Sequence, residues 1–217
     1  MCGFFAAIGE ALCEDELREA AKRISHRGPD GCGEINEKYF YGIHYRLSII
    51  DLHERSLQPF IEKECVLLFN GEIYNYKSLK SYLSSKYDID WRTTGDTEVL
   101  FHGLFYEGKD FVNRINGIFA FVYYNFATKS YLAARDRLGV KPLYQRSNSS
   151  SIEFCSEVKG FQNYADRLNH EAINEYLSYQ FYLDGKTPFS GITEVKPATV
   201  IVGCPGKQEL YNYWDEK

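Results

Sequence analysis

The sequence predicts one mixed domain in which strands come in meanders as well as beside helices, not the repeating strand–helix–strand units of a nucleotide-binding sheet. Three observations carry this. Apolar and aromatic runs of strand length recur from residue 3 to residue 203. Stretches with apolar residues at helical spacing separate some of them. From residue 117 the runs follow one another at hairpin distance, with no internal repeat.

Taken in order, residues 3–9 read as a buried strand. Residues 14–24 place Leu17, Ala20, Ala21 and Ile24 on one helical face, with acids in front and Lys22-Arg23 behind. Aromatic and branched residues predict strands at 39–50 and 65–70. Asn75 is placed to cap a helix carrying Leu79, Tyr82 and Leu83. A second helix follows Asp96, with Val99, Leu100, Gly103 and Leu104 inward. GIFAFVYYN, YLAARD and a run at 152–156 read as strands, with the polar 147–151 stretch as a hairpin tip. A helix over 170–179 (Ala172, Ile173, Tyr176, Leu177) precedes a last strand near 198–203.

Composition narrows the function classes. The chain has 217 residues, 44% hydrophobic and 25% charged, with a net charge of −5. These values describe a folded globular protein and argue against a general nucleic-acid or membrane-surface binder. No apolar run approaches a membrane span, and the start lacks the basic flank of a signal peptide. The six cysteines are scattered, without a Cys-x-x-Cys pair or zinc-spaced histidines. Reduced thiols in the cytoplasm are expected.

Each candidate motif has an ordinary reading. Cys2, entering an apolar run, reads first as a small hydrophobe. Asn70-Gly71, in CVLLFNGEIYNY, reads first as a hairpin turn, although a carboxamide and a glycine N–H are also the parts of an oxyanion hole. Arg46, on a strand, is equally a surface salt-bridge residue or a two-point partner for a substrate carboxylate. Asp96 reads first as a helix N-cap, and alternatively as the acceptor for an ammonium. The His26-bearing SHRGPDG and the basic ARDRLGVKPLY read as turns.

In this order, however, MCGFF, SHRGPDG, YRLSIID, FNGEIYNY, TTGDTE, NGIFAF and ARDRLGVKPLY resemble the glutaminase domain of glutamine-hydrolysing asparagine synthetases, a class II glutamine amidotransferase. The resemblance runs from Cys2 to Tyr213-Trp214. It implies an α+β fold, the four-layer α/β/β/α sandwich of the N-terminal-nucleophile hydrolases with two mainly antiparallel sheets, over residues 2–217. It further implies Cys2 as nucleophile, its freed α-amine as base, and Asn70 and Gly71 as the oxyanion hole. Arg46 is expected to hold the glutamine α-carboxylate and Asp96 its α-ammonium. Glu72 and the backbone of Leu47, Ser48, Ile49 and Ile50 complete the expected pocket. Ile43 and Lys196-Pro197-Ala198-Thr199 depart from the family pattern, away from these residues.

The family's pyrophosphate-gripping Ser-Gly-Gly-x-Asp-Ser loop is missing from these residues, as is any Walker-type loop. No cofactor is therefore expected in this chain. ATP and magnesium are expected only in a synthetase domain or subunit, which is the expected partner beside L-glutamine. The basic turns at 25–31 and 135–142 are candidate docking surfaces for it. Alternatives are a glutaminase serving another acceptor, such as a sugar or metabolite carboxylate, and a catalytically silent regulatory domain.

Overall fold

The computed structural model describes residues 1–10, 12–48, 53–204 and 206–215. Its first sheet is built around β1 (Gly3–Gly9), which lies between β3 (Phe40–Arg46) and β9 (Ser151–Cys155). Outward from these lie β2 (Gly31–Glu37) on one side, then β8 (Tyr144–Ser147) and β10 (Ile192–Glu194) on the other. The second sheet runs β4 (Phe60–Glu62), β5 (Cys65–Ile73), β6 (Gly117–Asn125), β7 (Ser130–Arg135), β11 (Thr199–Cys204), β12 (Lys207–Asn212). Every pairing is antiparallel.

Alternation along the strands sorts side chains into layers. Phe4, Ala6 and Ile8 of β1 meet Val66 and Leu68 of β5 and Ala120 and Val122 of β6 between the sheets. Phe5 and Ala7 point the other way, onto Leu17, Ala21 and Ile24 in and after α1 (Glu14–Lys22). Leu67 and Phe69 of β5 pack on Leu79 and Leu83 of α2 (Tyr76–Lys86) and on Val99 and Leu100 of α3 (Asp96–Glu107). The result is the expected four-layer α/β/β/α sandwich.

Several local expectations are corrected. Asn70-Gly71 does not turn the chain. β5 continues through both to Ile73, paired with β6 along all nine residues, so tertiary pairing overrides the local Asn-Gly signal. The strand predicted at 39–50 ends at Arg46. Asn75 stands at the N-cap position of α2 but makes no cap bond. Its Nδ2 donates to Arg114 O and its Oδ1 accepts from Asn116 N–H, tying α2 to the start of β6. The strand at 199–204 is followed by β12, whose residues are all exposed and carry no alternation to read. β2 was hidden for a similar reason: GCGEINE mixes glycines and acids, and full pairing to β3 makes it a strand. α4 (His170–Tyr179) is a helix as predicted, but only Ala172 is buried while Tyr176 and Leu177 are exposed.

Gly103 faces inward for a steric reason. A Cβ there would lie 2.1 Å from the Phe111 ring, and Phe111 is fully buried. Gly103→Ala is therefore expected to destabilise the fold by about 1–3 kcal/mol through overpacking, despite alanine's better helix propensity. Denaturant unfolding of the two proteins checks this.

Candidate functional site

One end of the space between the sheets is open, and the candidate residues converge there. The register Gly3↔Tyr45 and Phe4↔His44 places Cys2 opposite Arg46, at the end of the inter-sheet face that carries Phe4 and His44. On β5 the alternation that sends Val66 and Leu68 inward sends Asn70 inward too. Cys2, His44, Arg46, Asn70, Glu72 and Asp96 line one cleft of about 730 Å³, part of it open to solvent.

Cys2 is half-buried. Leu47 N–H donates to its Sγ at 3.3 Å, and the thiol faces Leu47 O at 3.4 Å. Arg27 Nε donates to Cys2 O at 2.9 Å while its Nη1 reaches Glu157 at 2.8 Å. Arg27 is nearly buried; it braces the residue that carries the thiol. Phe4 N–H donates to Ser156 Oγ at 3.0 Å, and Ser156 N–H donates to Phe4 O at 3.0 Å, fixing the start of β1.

Asn70 is buried, yet its Nδ2 has no acceptor among the described residues. An unpaired buried donor ordinarily costs about 1–3 kcal/mol, so such a group at a cleft wall marks a place where an acceptor is meant to arrive. The neighbouring backbone repeats the theme. Along the edge of β5 beyond β4, Phe69 N–H is taken by Gln58 Oε1 at 2.6 Å and Ile73 N–H by Asp96 Oδ2 at 2.9 Å. Strand alternation directs Gly71 N–H to the same edge, between those two. Gly71 also has no room for a side chain, since a Cβ would meet Ile118 O at 2.3 Å and Phe119 Cα at 2.7 Å.

Asp96 is the first residue of α3, with Gly95 at the cap, so the N-cap expectation is corrected. Its carboxylate instead bridges to β5 through Ile73 N–H. Burial raises its pKa from 3.8 to about 6, opposed by the Ile73 bond and helped by the nearby Glu72 charge. Burial likewise raises Glu72, with Lys141 opposing. In the interval from 3.8 to about 6, folded Asp96 holds a proton that the unfolded chain has released. Its contribution to stability therefore falls as pH rises through that interval. Asp96→Asn is expected to raise unfolding free energy at pH 7 by on the order of 1–2 kcal/mol, the amide's new unpaired donor offsetting part of the gain, and to flatten the pH dependence. Urea unfolding at pH 4.5 and 7 reads both.

Arg46 is buried and its Nη1 donates to His53 O at 3.0 Å, which holds the guanidinium at the cleft. Ser48 N–H goes to Asp30 Oδ2 at 2.8 Å. Ile49 and Ile50 lie outside the described residues.

Sequence reading missed His44, Gln58 and Lys141. His44 lies two residues before Arg46 on the same strand face, a spacing that could have flagged it. Burial pushes His44 down to about 4, so the ring is neutral near pH 7. Its Nε2 donates to Phe69 O at 3.1 Å, leaving Nδ1 without a partner among the described residues. Gln58 clamps Phe69 from both sides, its Nε2 donating to Phe69 O at 3.0 Å; nothing local in the sequence signals this. The basic turns are anchored by buried side chains. Arg27, Arg135 and Lys141 are all buried, and Arg135 holds the carbonyls of Lys141, Val195 and Gly139. Ser25, His26, Pro29, Asp30, Leu138 and Val140 of the same segments remain exposed.

A half-buried thiol, an unpaired carboxamide donor, and an Arg and Asp thus face one cleft between two antiparallel sheets, the arrangement expected of an amidotransferase. The comparisons agree. The glutamine amidotransferase domain family matches residues 1–214, and the chain belongs to it. Asparagine synthetase [glutamine-hydrolyzing] 1 of Bacillus subtilis is 32% identical over 92% of this chain and 33% of its own length. A putative asparagine synthetase [glutamine-hydrolyzing] 2 of Methanocaldococcus jannaschii is 29% identical over 99% of this chain and 47% of its own. The chain thus spans a third to about half of these relatives. Glutamine phosphoribosylpyrophosphate amidotransferase of B. subtilis superposes with a TM-score of 0.71 at 18% identity, over 99% of this chain and 50% of that one, a likeness of fold. Among the described residues no helix is long and apolar enough to cross a membrane.

Proposed function

We propose that this domain hydrolyses L-glutamine to glutamate and ammonia through a thioester on Cys2, and passes the ammonia to an ATP-dependent, asparagine-synthetase-type domain or subunit. The observation that carries the reading is the buried Asn70 Nδ2 without an acceptor, in the cleft that also holds the thiol.

Removal of Met1 is the activating step. Met1 is 57% exposed, within reach of a peptidase. While it is attached, the Cys2 nitrogen is an amide and cannot take a proton. Once freed, the α-amine has an ordinary pKa of about 7.7–8.0, so a useful neutral fraction exists near pH 7. That amine takes the thiol proton as sulfur attacks the side-chain amide carbon. The C=O electrons move to oxygen, and Asn70 Nδ2 and Gly71 N–H stabilise the resulting oxyanion. Collapse expels ammonia, which carries away the proton held by the α-amine. Water, activated by the same amine, then hydrolyses the thioester to glutamate.

Arg46 and Asp96 read the free amino-acid end, carboxylate and ammonium respectively, with Glu72 and the Leu47 backbone closing the pocket. Arg46→Lys is expected to raise KM about tenfold or more with a small change in kcat, because an ammonium cannot reproduce a planar two-point grip. Glutamine affinity of an unreactive Cys2→Ala protein should fall as pH drops through about 6, where Asp96 loses its charge; calorimetric titration at pH 5 and 7 measures it.

ATP and magnesium chemistry belongs in this reading to the partner domain, and the cytoplasm is the proposed compartment. Supplied with glutamine, aspartate, ATP and magnesium, the chain alone is expected to yield glutamate and ammonia but no asparagine. Asparagine formation without a partner would overturn the division of labour.

A further inference from the structure

Behind the wall of the cleft lies a second cluster of donors that plays no part in glutamine chemistry. His102, on α3, is 1% exposed, and neither ring nitrogen has a hydrogen-bond partner among the described residues. Glu98, one helical turn earlier, is fully buried. His102 Nε2 lies 3.8 Å from Glu98 Oε1 and 4.0 Å from Glu62 Oε2, and one donor atom from each residue falls within 4.8 Å of the others. These separations are too long for hydrogen bonds. They are close to what a shared cation requires. Ligand bonds of about 2.0–2.2 Å in tetrahedral geometry put donors about 3.4 Å apart, so the two carboxylates need to close on His102 by about half an ångström.

We propose that Glu62, Glu98 and His102 bind one divalent transition cation of the zinc type, which ties β4, α3 and the 91–95 segment together behind the glutamine cleft. An imidazole nitrogen with two carboxylate oxygens favours such a cation over calcium or magnesium, which take oxygen donors. Water completes the fourth corner. Glu98 Oε1 also accepts from Arg92 N–H at 2.7 Å, which leaves that oxygen a second lone pair for the ion. The Trp91 and Phe101 rings stand edge-on to His102 at 5.2 and 5.5 Å and exclude bulk water.

The nearest competing cation is Arg92, whose Nη2 lies 2.9 Å from Glu62 Oε2, with Lys63 Nζ 3.7 Å from Glu62 Oε1. The Arg92 side chain is 50% exposed and held besides, among the described residues, by Ile61 O at 3.4 Å and the Phe60 ring at 4.7 Å, and its single charge offsets one carboxylate where a dication offsets both. Glu98 Oε2 also accepts from Thr93 N–H at 2.7 Å and Thr93 Oγ1 at 2.8 Å, and Thr93 lines the glutamine cleft. The ion thus stiffens the cleft wall while touching no reacting atom.

The test uses the full chain, stripped with chelator, equilibrated with zinc chloride and passed through gel filtration before metal analysis. Exposed Cys13, Cys32 and Cys204 can also take zinc, so Glu62→Gln and His102→Gln are run beside the parent. The parent is expected to retain one equivalent, with its unfolding midpoint raised by about 5–10 °C at a hundredfold excess over Kd. Each variant should bind at least tenfold more weakly and lose the midpoint shift. Glu62→Gln, at the half-buried rim, keeps the test valid if His102→Gln fails to fold. Equal zinc retention by the variants, or a parent that neither binds nor shifts, overturns the site and leaves His102 packed between Trp91 and Phe101 without a metal.

Discussion

Cys2→Ala is expected to abolish ammonia release from glutamine, to below the detection limit of a coupled assay, while moving the unfolding midpoint by no more than about 2 °C. The substitution removes one sulfur from a half-buried position at the end of β1. The bonds that fix that end stay in place, because Arg27 grips the backbone carbonyl of Cys2 and Ser156 pairs with Phe4. Only the Leu47 contacts to sulfur are lost. Loss of activity with a retained fold separates a nucleophile from a structural cysteine such as Cys155, which is fully buried and whose thiol burial pushes up to about 12. A Cys2→Ala protein that still released ammonia would place the chemistry elsewhere.

Asn70→Ala is expected to lower kcat by about 10²–10³ with little change in KM, the loss typical of removing one oxyanion donor. The ground-state amide oxygen needs that donor less than the tetrahedral oxyanion does, so the penalty falls on the transition state. Stability should move the other way or stay level, because the substitution removes a buried donor that has no acceptor among the described residues. Gain or constancy of stability with a large loss of kcat marks a group kept for chemistry. Equal losses in both would return Asn70 to a purely structural role on β5.

The strands that bury one or both faces were legible in the sequence, because their alternation or apolar continuity survives in the residues themselves: GFFAAIG, CVLLF and GIFAFVYY all became strands. β2 and β12 were not, since GCGEINE and KQELYN expose most of their residues and take their shape from pairing with β3 and β11, the neighbouring strands of their hairpins. The same limit governed the site. Asn70-Gly71 looks like a turn locally, and only pairing with β6 shows it to be extended strand at a cleft. Arg46 and Asp96 were ambiguous singly and became meaningful through motif order. Gln58 and His44 act through Phe69, a contact between distant segments that no local pattern encodes. Glu62, Glu98 and His102 were likewise invisible as a set, because β4 and α3 meet only in the folded chain.

Mass spectrometry of the purified chain after brief exposure to a glutamine-shaped electrophile tests the central claim most directly. The account predicts a protein lacking Met1 that carries one adduct, mapped to Cys2, with protection by added glutamine. An adduct on Cys13, Cys32, Cys65, Cys155 or Cys204 in place of Cys2, or full labelling and turnover by a chain that retains Met1, would contradict it.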